Sequence, residues 1–293
     1  MKTSAKRPFV EWPTFALIIA CYAGWLVALW VLPLWAGIVF AGVMIALHSS
    51  LQHEVLHGHP FRSQALSDAV IWPPLTLVIP YARFVDTHLA HHQNENLTDP
   101  YDDPETAYLD PAVWERLPLW VRWVMNLNNT LAGRLLLGPL VGTVAFGIAE
   151  WSSDDPRVRR GWLLHIPAVA IVLLVVWLSP MALWAYALAA YLGMSILKLR
   201  TYLEHQAHER ASGRSVIVER GGIFGFLFLN NNLHVVHHMH PKVPWYRLPS
   251  LFRSKKDHYL RRNGGYYYRS YNEIFRRFLF KAKEPVPHPL WRR

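Results

Sequence analysis

Histidines in this 293-residue chain gather in short clusters whose internal spacing suits metal binding. A neutral imidazole offers one lone pair to a metal ion, so several imidazoles aimed at one point make a strong site. Residues three and four apart lie on one face of a helix, and this spacing recurs in three of the clusters. The clustered histidines are His53 and His57; His88, His91 and His92; His205; and His234, His237 and His238.

Nine imidazoles are more than one metal ion needs, and they suit two. The single cysteine, Cys21, lies within an apolar run, so the sequence excludes a thiolate metal site and a disulfide framework. Imidazoles without cysteine favour iron, zinc or copper over magnesium or calcium. His48, five residues before His53, is a candidate additional ligand. The isolated histidines predicted to be ordinary polar residues are His165, His258 and His288.

Carboxylates and amides near the clusters are candidates to accept the second ring N–H of a ligand histidine, which would fix the ring's orientation. The acidic stretch at residues 97–105 also has the character of a turn-rich loop in which Asp-Pro steps start turns. Residues 230–232, three asparagines, are either partners of histidine or a helix cap. The candidate outer partners are Glu54, Asp99, Asp102, Asp103, Glu204 and Asn231.

Two long stretches without charged side chains must position the clusters. Residues 13–47 and 162–197 contain no Asp, Glu, Lys or Arg, and each can hold two spans of roughly 20 residues. Pro33 and Pro180 break these stretches near the middle. The pattern predicts one all-α, polytopic membrane domain over residues 1–293, with two transmembrane hairpins. The four predicted spans are at about 15–32, 35–53, 162–178 and 181–199.

Two shorter apolar segments lie between the hairpins. Residues 69–80 contain a double proline and are too short to cross a bilayer, so a re-entrant or interfacial segment is predicted. Residues 131–148 are weakly apolar and are expected to lie in the interface, with a fifth span as the alternative.

Charge predicts the orientation of the spans. The formal net charge is +10, and the tail at residues 241–293 holds fourteen Lys and Arg against three Asp and Glu. Because this tail follows apolar spans, it suits attraction to anionic membrane lipid rather than to nucleic acid. By the positive-inside rule both termini are expected to be cytoplasmic, in a cell inner membrane. The other basic flanks are Lys2, Lys6 and Arg7, and Arg157, Arg159 and Arg160.

HEVLH (53–57), HLAHH (88–92) and LHVVHH (233–238) resemble the three histidine boxes of the membrane fatty-acid-desaturase-like superfamily, which includes hydroxylases and carotene ketolases. The resemblance covers residues from about 15 to 250, with two spans between the second and third boxes. It implies two iron ions, O2 as co-substrate, and a cytoplasmic helical cap that carries the boxes. Since no cytochrome b5 domain is fused, it also implies electrons from a separate ferredoxin or similar donor.

The implied ligand sets are His53, His88, His92 and His234 for one iron, and His57, His91, His205, His237 and His238 for the other. Box one departs from that of the animal acyl-CoA desaturases in having three intervening residues rather than four. Thr201 stands where those enzymes carry a water-bridging Asn. The expected activity is desaturation of a fatty acyl chain, with hydroxylation or ketolation of a lipid, carotenoid or small amphiphile as the alternative.

Two other functions also accommodate part of the pattern. HEVLH matches the HExxH signature of zinc proteases, in which Glu54 would be the general base. That function leaves the other two boxes unexplained. A membrane metal carrier is the non-enzymatic alternative, but transporters usually place their ligands at mid-membrane, whereas these clusters lie at one end of the hairpins.

Overall fold

The computed structural model describes residues 9–93 and 95–291, and the chain is mostly helical. The helices are α1 (Trp12–Trp30), α2 (Leu34–Leu56), α3 (Gln64–Ile71), α4 (Tyr81–His91), α5 (Pro111–Arg116), α6 (Leu119–Asn128), α7 (Leu131–Trp151), α8 (Pro156–Trp177), α9 (Leu183–Thr201), α10 (Gly222–Leu227), α11 (His234–Met239), α12 (Leu248–Ser254), α13 (Lys256–Arg262) and α14 (Tyr271–Phe278). Two short strands, β1 (Ile217–Arg220) and β2 (Tyr267–Ser270), pair in parallel.

The chain divides into two compact units. The first contains residues up to Tyr81 and Leu163–Gly193, and the second contains Ala82–Trp162 and Met194–Arg293. The prediction of a single domain over 1–293 is not tested by this division. The basic residues before the first span, on which the predicted orientation partly rests, lie outside the described residues.

Small side chains let the helices of the first unit approach closely. Its core takes residues from α1, α2, α8 and α9. A Cβ on Gly37 would lie 2.7 Å from the carbonyl oxygen of Ala28, and a Cβ on Gly193 would lie 2.9 Å from that of Gly42. Close backbone contact through small residues is the usual way in which membrane helices pack.

Within residues 9–93 and 95–291, four helices are long and apolar enough to cross a membrane, namely α1, α2, α7 and α8. The prediction of a polytopic helical membrane protein is therefore confirmed, but the set of helices differs from the predicted one. The predicted fourth span at 181–199 is the helix α9, whose last turn carries Lys198 and Arg200, and it does not belong to this group. The segment expected in the interface instead forms α7, an unbroken 21-residue helix that continues through Pro139. Which helices cross the bilayer stays a prediction.

Backbone without regular secondary structure follows α3 in the first unit, as a re-entrant segment would require. The carbonyl oxygen of Leu75 accepts a hydrogen bond from the Tyr186 hydroxyl at 2.8 Å. The carbonyl oxygen of Leu77 accepts one from Nε2 of His165 at 3.1 Å. Irregular backbone at membrane depth is tolerated only where the protein satisfies its polar groups in this way.

The two-stranded sheet of the second unit was not predicted, because each strand has only four residues. It anchors the segment that carries the third histidine box. Val218 donates its backbone N–H to the carbonyl oxygen of Asn232 at 2.8 Å, and Val235 donates to that of Val216 at 3.2 Å. The segment of β1 therefore holds the chain by hydrogen bonds both before and after the first residue of α11.

Candidate metal centre

The third box lies on α11, a six-residue helix with two different faces. Val235 and Val236 belong to a buried apolar cluster that also contains Phe252 of α12 and Tyr259 of α13. The i, i+3, i+4 spacing of the box places its three histidines together on one side of the helix. The buried histidines on this helix are His234, His237 and His238.

The second box lies at the end of α4. His88 and His91 belong to its last turn, and His92 follows the final helical residue. His88 and His91 are almost fully buried, at 2% and 3% exposed. His205 comes from the loop after α9, where it forms a β-bridge with Ser215. Three separate segments of the second unit therefore supply seven histidines.

These seven histidines form two groups in which ring nitrogens converge. In the first group Nε2 of His205 lies 2.9 Å from Nε2 of His91 and 3.0 Å from Nε2 of His234. Nε2 of His238 lies 3.1 Å from that of His234. One ligand atom from each of these four residues lies within 4.8 Å of the others.

The second group contains the remaining three of these seven histidines. Nε2 of His92 lies 3.0 Å from Nε2 of His88 and 3.1 Å from Nε2 of His237. This grouping differs from the division of ligands between two irons that the resemblance implied. His234 lies with His91, and His237 lies with His88, whereas the resemblance implied the reverse. The reason is the placement of α11 against α4, which box spacing does not report.

Outer partners set the proton positions on the converging rings. Oδ1 of Asp103 accepts from Nδ1 of His91 at 2.7 Å, and Oε1 of Glu105 accepts from Nδ1 of His88 at 3.0 Å. Because a carboxylate only accepts, each of these Nδ1 atoms carries a proton. The neutral form of each ring therefore presents its Nε2 lone pair to the neighbouring histidine.

An amide does the same for the third box. Nδ2 of Asn231 donates to Oε1 of Glu204 at 2.6 Å, so its Oδ1 faces His234 and accepts from Nδ1 at 3.1 Å. Glu204 also pairs with Nε of Arg200 at 3.1 Å. Burial raises the pKa of Glu204, and the charge of Arg200 opposes that shift.

Electrostatics keep most of the cluster neutral. Burial, followed by the neighbouring histidines, lowers the pKa of His205, His234 and His238 well below its usual value. Burial and the charges of His88 and His91 lower the pKa of His92 to about 3. Burial also acts on His91, but Glu105 and Asp103 outweigh it and raise the pKa of that ring to about 9.

The residues fit a metal ion. Nitrogen ligands at right angles on a metal–nitrogen bond of about 2.1 Å lie about 3.0 Å apart, and the measured separations are 2.9 to 3.1 Å. Two facing lone pairs repel each other at this distance, so a metal ion or a proton must lie between the nitrogens of each pair. Nitrogen donors without sulfur fit iron, zinc or copper.

The first box belongs to the first unit. His53 lies in the last turn of α2 and His57 caps its C-terminus, with ring centroids 5.0 Å apart. His48 belongs to neither converging group among the described residues, and its Nε2 lies 3.0 Å from the hydroxyl of Tyr22. That hydroxyl donates to the carbonyl oxygen of Val70, so it accepts from His48.

The remaining predicted outer partners have other surroundings. Oε1 of Glu54 lies 3.7 Å from Nε2 of His59, whose Nδ1 bonds Glu11 at 2.5 Å. Oδ1 of Asp99 accepts from the backbone N–H groups of Tyr101 and Asp102, as a turn-forming residue does. Asp102 itself is exposed.

Sequence reasoning missed two supports of the site. Glu105 was overlooked although it ends the same acidic stretch as Asp103. The C-terminal segment 281–288 also holds the loop of His205, because Nζ of Lys283 donates to the His205 carbonyl oxygen and, at 2.9 Å, to the Tyr266 hydroxyl. The charge count of the tail indicated lipid contact and gave no sign of this role.

Comparison with known proteins shows similarity to one family and to two enzymes. The sequence profile of the fatty acid desaturase family matches residues 28–273. A β-carotene ketolase of Paracoccus sp. (strain N81106 / MBIC 01143) is 26% identical over 218 residues, which cover 73% of this chain and 74% of that protein. A β-carotene ketolase of Paracoccus sp. (strain PC1) is 24% identical over 213 residues, which cover 70% of this chain and 71% of that protein.

Proposed function

The chain belongs to the fatty acid desaturase family, and on that premise we propose that it is an O2-dependent oxidoreductase whose histidines hold two iron ions. The observation that carries the proposal is the convergence of seven imidazoles in the second unit, at nitrogen separations of about 3 Å. An HExxH protease leaves this convergence unexplained, and a metal carrier, which would also bring imidazoles together, is disfavoured by the match to the fatty acid desaturase family.

Nine histidines are proposed as ligands. The group of His91, His205, His234 and His238 is complete enough to hold one ion by itself. The other group has three members in the second unit, and the family pattern supplies the first box, His53 and His57, as its remaining ligands.

Two irons, when bound, would supply the O2-dependent oxidation of an unactivated C–H bond, which no amino-acid side chain performs. The chain's own residues orient the ligands and exclude water. Asp103 and Glu105 hold the Nδ1 protons of the α4 histidines, and Asn231 holds that of His234. Partners of this kind fix the ring and raise its basicity as a ligand.

Two products are candidates. The family description supports desaturation of a fatty acyl chain. The two β-carotene ketolases support insertion of oxygen into a carotenoid or another amphiphile. Both reactions begin by removing hydrogen from carbon, so the same site serves either.

Expression in a bacterial host, with mass spectrometry of its lipids, separates these products. One host should contain ordinary phospholipids, and a second should also accumulate β-carotene. A loss of two mass units from acyl chains indicates desaturation, and a keto-carotenoid indicates ketolation. Neither change should appear with the His238→Ala variant. No oxidised lipid or carotenoid in either host would contradict the proposal.

The surroundings of the enzyme are also proposed. Electrons come from a separate ferredoxin or similar donor, and the protein lies in the cell inner membrane with both termini cytoplasmic. The basic tail from residue 241 onwards contacts anionic lipid there.

A further inference from the structure

Two basic side chains of the second unit lie side by side, each on a long helix. Arg134 is in the first turn of α7, and Lys198 is in the last turn of α9. A Cβ on Gly138 would lie 3.1 Å from Cδ of Arg134 and 3.1 Å from Cγ of Lys198, so both stems pack on this glycine. In the described part of the chain, neither side chain has a carboxylate oxygen within 4.0 Å.

A second glycine makes room for the ammonium group of Lys198. A Cβ on Gly142 would lie 2.7 Å from Nζ of Lys198, so a larger residue there would displace the ammonium group from this position. Gly138 and Gly142 are four residues apart and therefore share one face of α7. The lysine side chain follows this face, and its ammonium group has no hydrogen-bond partner among the described residues.

The arginine is fixed but keeps free donors. Its Nε donates to the carbonyl oxygen of Asn128 at 3.1 Å, and its guanidinium lies 5.9 Å from the ring centroid of Tyr202. The two terminal nitrogens of Arg134 make no hydrogen bond in the described chain. A guanidinium held in this way presents two parallel donors, the geometry that suits an oxyanion.

Two adjacent cations on apolar helices repel each other and lose hydration, and an anion between them would offset that cost. The carboxylate of Glu105 attracts Lys198 from a longer distance but is hydrogen-bonded to His88. Ionisable groups on membrane helices commonly mark ligand sites for this reason. We propose that Arg134 and Lys198 bind the oxyanion head group of an amphiphile, either the carboxylate of a fatty acid or the phosphate of a phospholipid.

The site lies close to the proposed metal centre in the chain. Lys198 is three residues before the end of α9, and His205 is four residues after it. A head group held here would leave its hydrocarbon tail beside the apolar surface of α7. If the bound amphiphile is the substrate, an assignment that rests on the proposed function, the site favours a fatty acyl chain over an uncharged carotenoid.

Binding of tritiated palmitate to the full-length protein, purified in a neutral detergent with its iron content measured, tests the proposal. Unlabelled competitors should be methyl palmitate, phosphatidylglycerol, diacylglycerol and β-carotene. Palmitate or phosphatidylglycerol should compete at least about tenfold better than its neutral counterpart. Stronger competition by palmitate identifies the carboxylate, and stronger competition by phosphatidylglycerol identifies the phosphate.

Variants locate the site. Lys198→Met and Lys198→Gln should each weaken palmitate binding about tenfold, whereas Arg116→Met, which removes one exposed positive charge outside the basic tail, should leave it unchanged. Iron content and gel-filtration profile of the same samples show whether each variant is folded. Equal competition by charged and neutral lipids would overturn the proposal, as would unchanged affinity in both Lys198 variants. Failure of the proposed function would appear separately, as absent iron or absent oxidation with anion binding intact.

Discussion

Replacing Asp103 by Asn should weaken iron binding far more than the same change at the neighbouring Asp102. Asp103 is buried and accepts three N–H groups, from Nδ1 of His91 at 2.7 Å, Thr98 N at 2.9 Å and Glu105 N at 3.0 Å. Asp102 is exposed, and its side chain makes no hydrogen bond in the described chain. The two positions therefore form a matched pair.

The size of the effect follows from the lost acceptors. An Asn side chain has one acceptor oxygen and an NH2 group, so at least one buried donor faces another donor. Leaving a buried donor unsatisfied costs about 1–3 kcal/mol. His91 also loses the charged partner that fixes its ring, and loss of such a partner typically weakens metal binding by roughly 10–100-fold. Weaker iron binding in that range is therefore expected for Asp103→Asn.

The assay is competition for ferrous iron between the purified protein and a chelator of known affinity, without oxygen. Iron content is measured by mass spectrometry at each chelator concentration. Asp102→Asn should match the wild type within twofold, which would show that loop charge alone is not responsible. Equal iron affinity in the two variants would refute the assignment of Asp103 as the partner of a metal ligand.

Three further outcomes are expected. Since the pKa of His91 is raised to about 9, its Nε2 is protonated at neutral pH without metal, and a metal ion must displace that proton. The affinity for ferrous iron, measured from pH 6.5 to 9, should therefore rise with pH by up to about tenfold per unit. An iron affinity that does not change with pH would contradict this. His238→Ala should abolish lipid oxidation while His258→Ala, at an exposed position, keeps it; equal activities would count against the ligand set. Lys283→Met should lower iron occupancy severalfold by releasing the His205 loop, and wild-type occupancy would exclude that support.

The sequence predicts well that the histidines of the second and third boxes lie on one face of a helix, because their spacing matches the helical repeat. Residues three and four apart on a helix must share a face, so the boxes on α4 and α11 each present a set of histidines. The pattern does not predict that His234 lies with His91 while His237 lies with His88. That division depends on how two separate helices pack, and nothing within one box encodes it.

The other differences between the predicted and the observed structure involve residues that are far apart in the sequence. A chain segment is assigned to the membrane from its own hydropathy, so α7 with its glycines looked interfacial, although it runs for 21 residues. Gly138 and Lys198 lie 60 residues apart, and each looks unremarkable until both are placed together. Lys283 likewise supports His205 from a distant position that charge patterning assigns to lipid. Local sequence carries no signal for such pairs.

Metal analysis of the wild-type protein, purified in detergent from cells grown with iron, tests the central claim most directly. The account predicts about two iron ions per chain, with a Mössbauer spectrum of high-spin ferrous sites in nitrogen surroundings after reduction. A single zinc ion, or a metal content that does not change when both His234 and His238 are replaced by alanine, would contradict it.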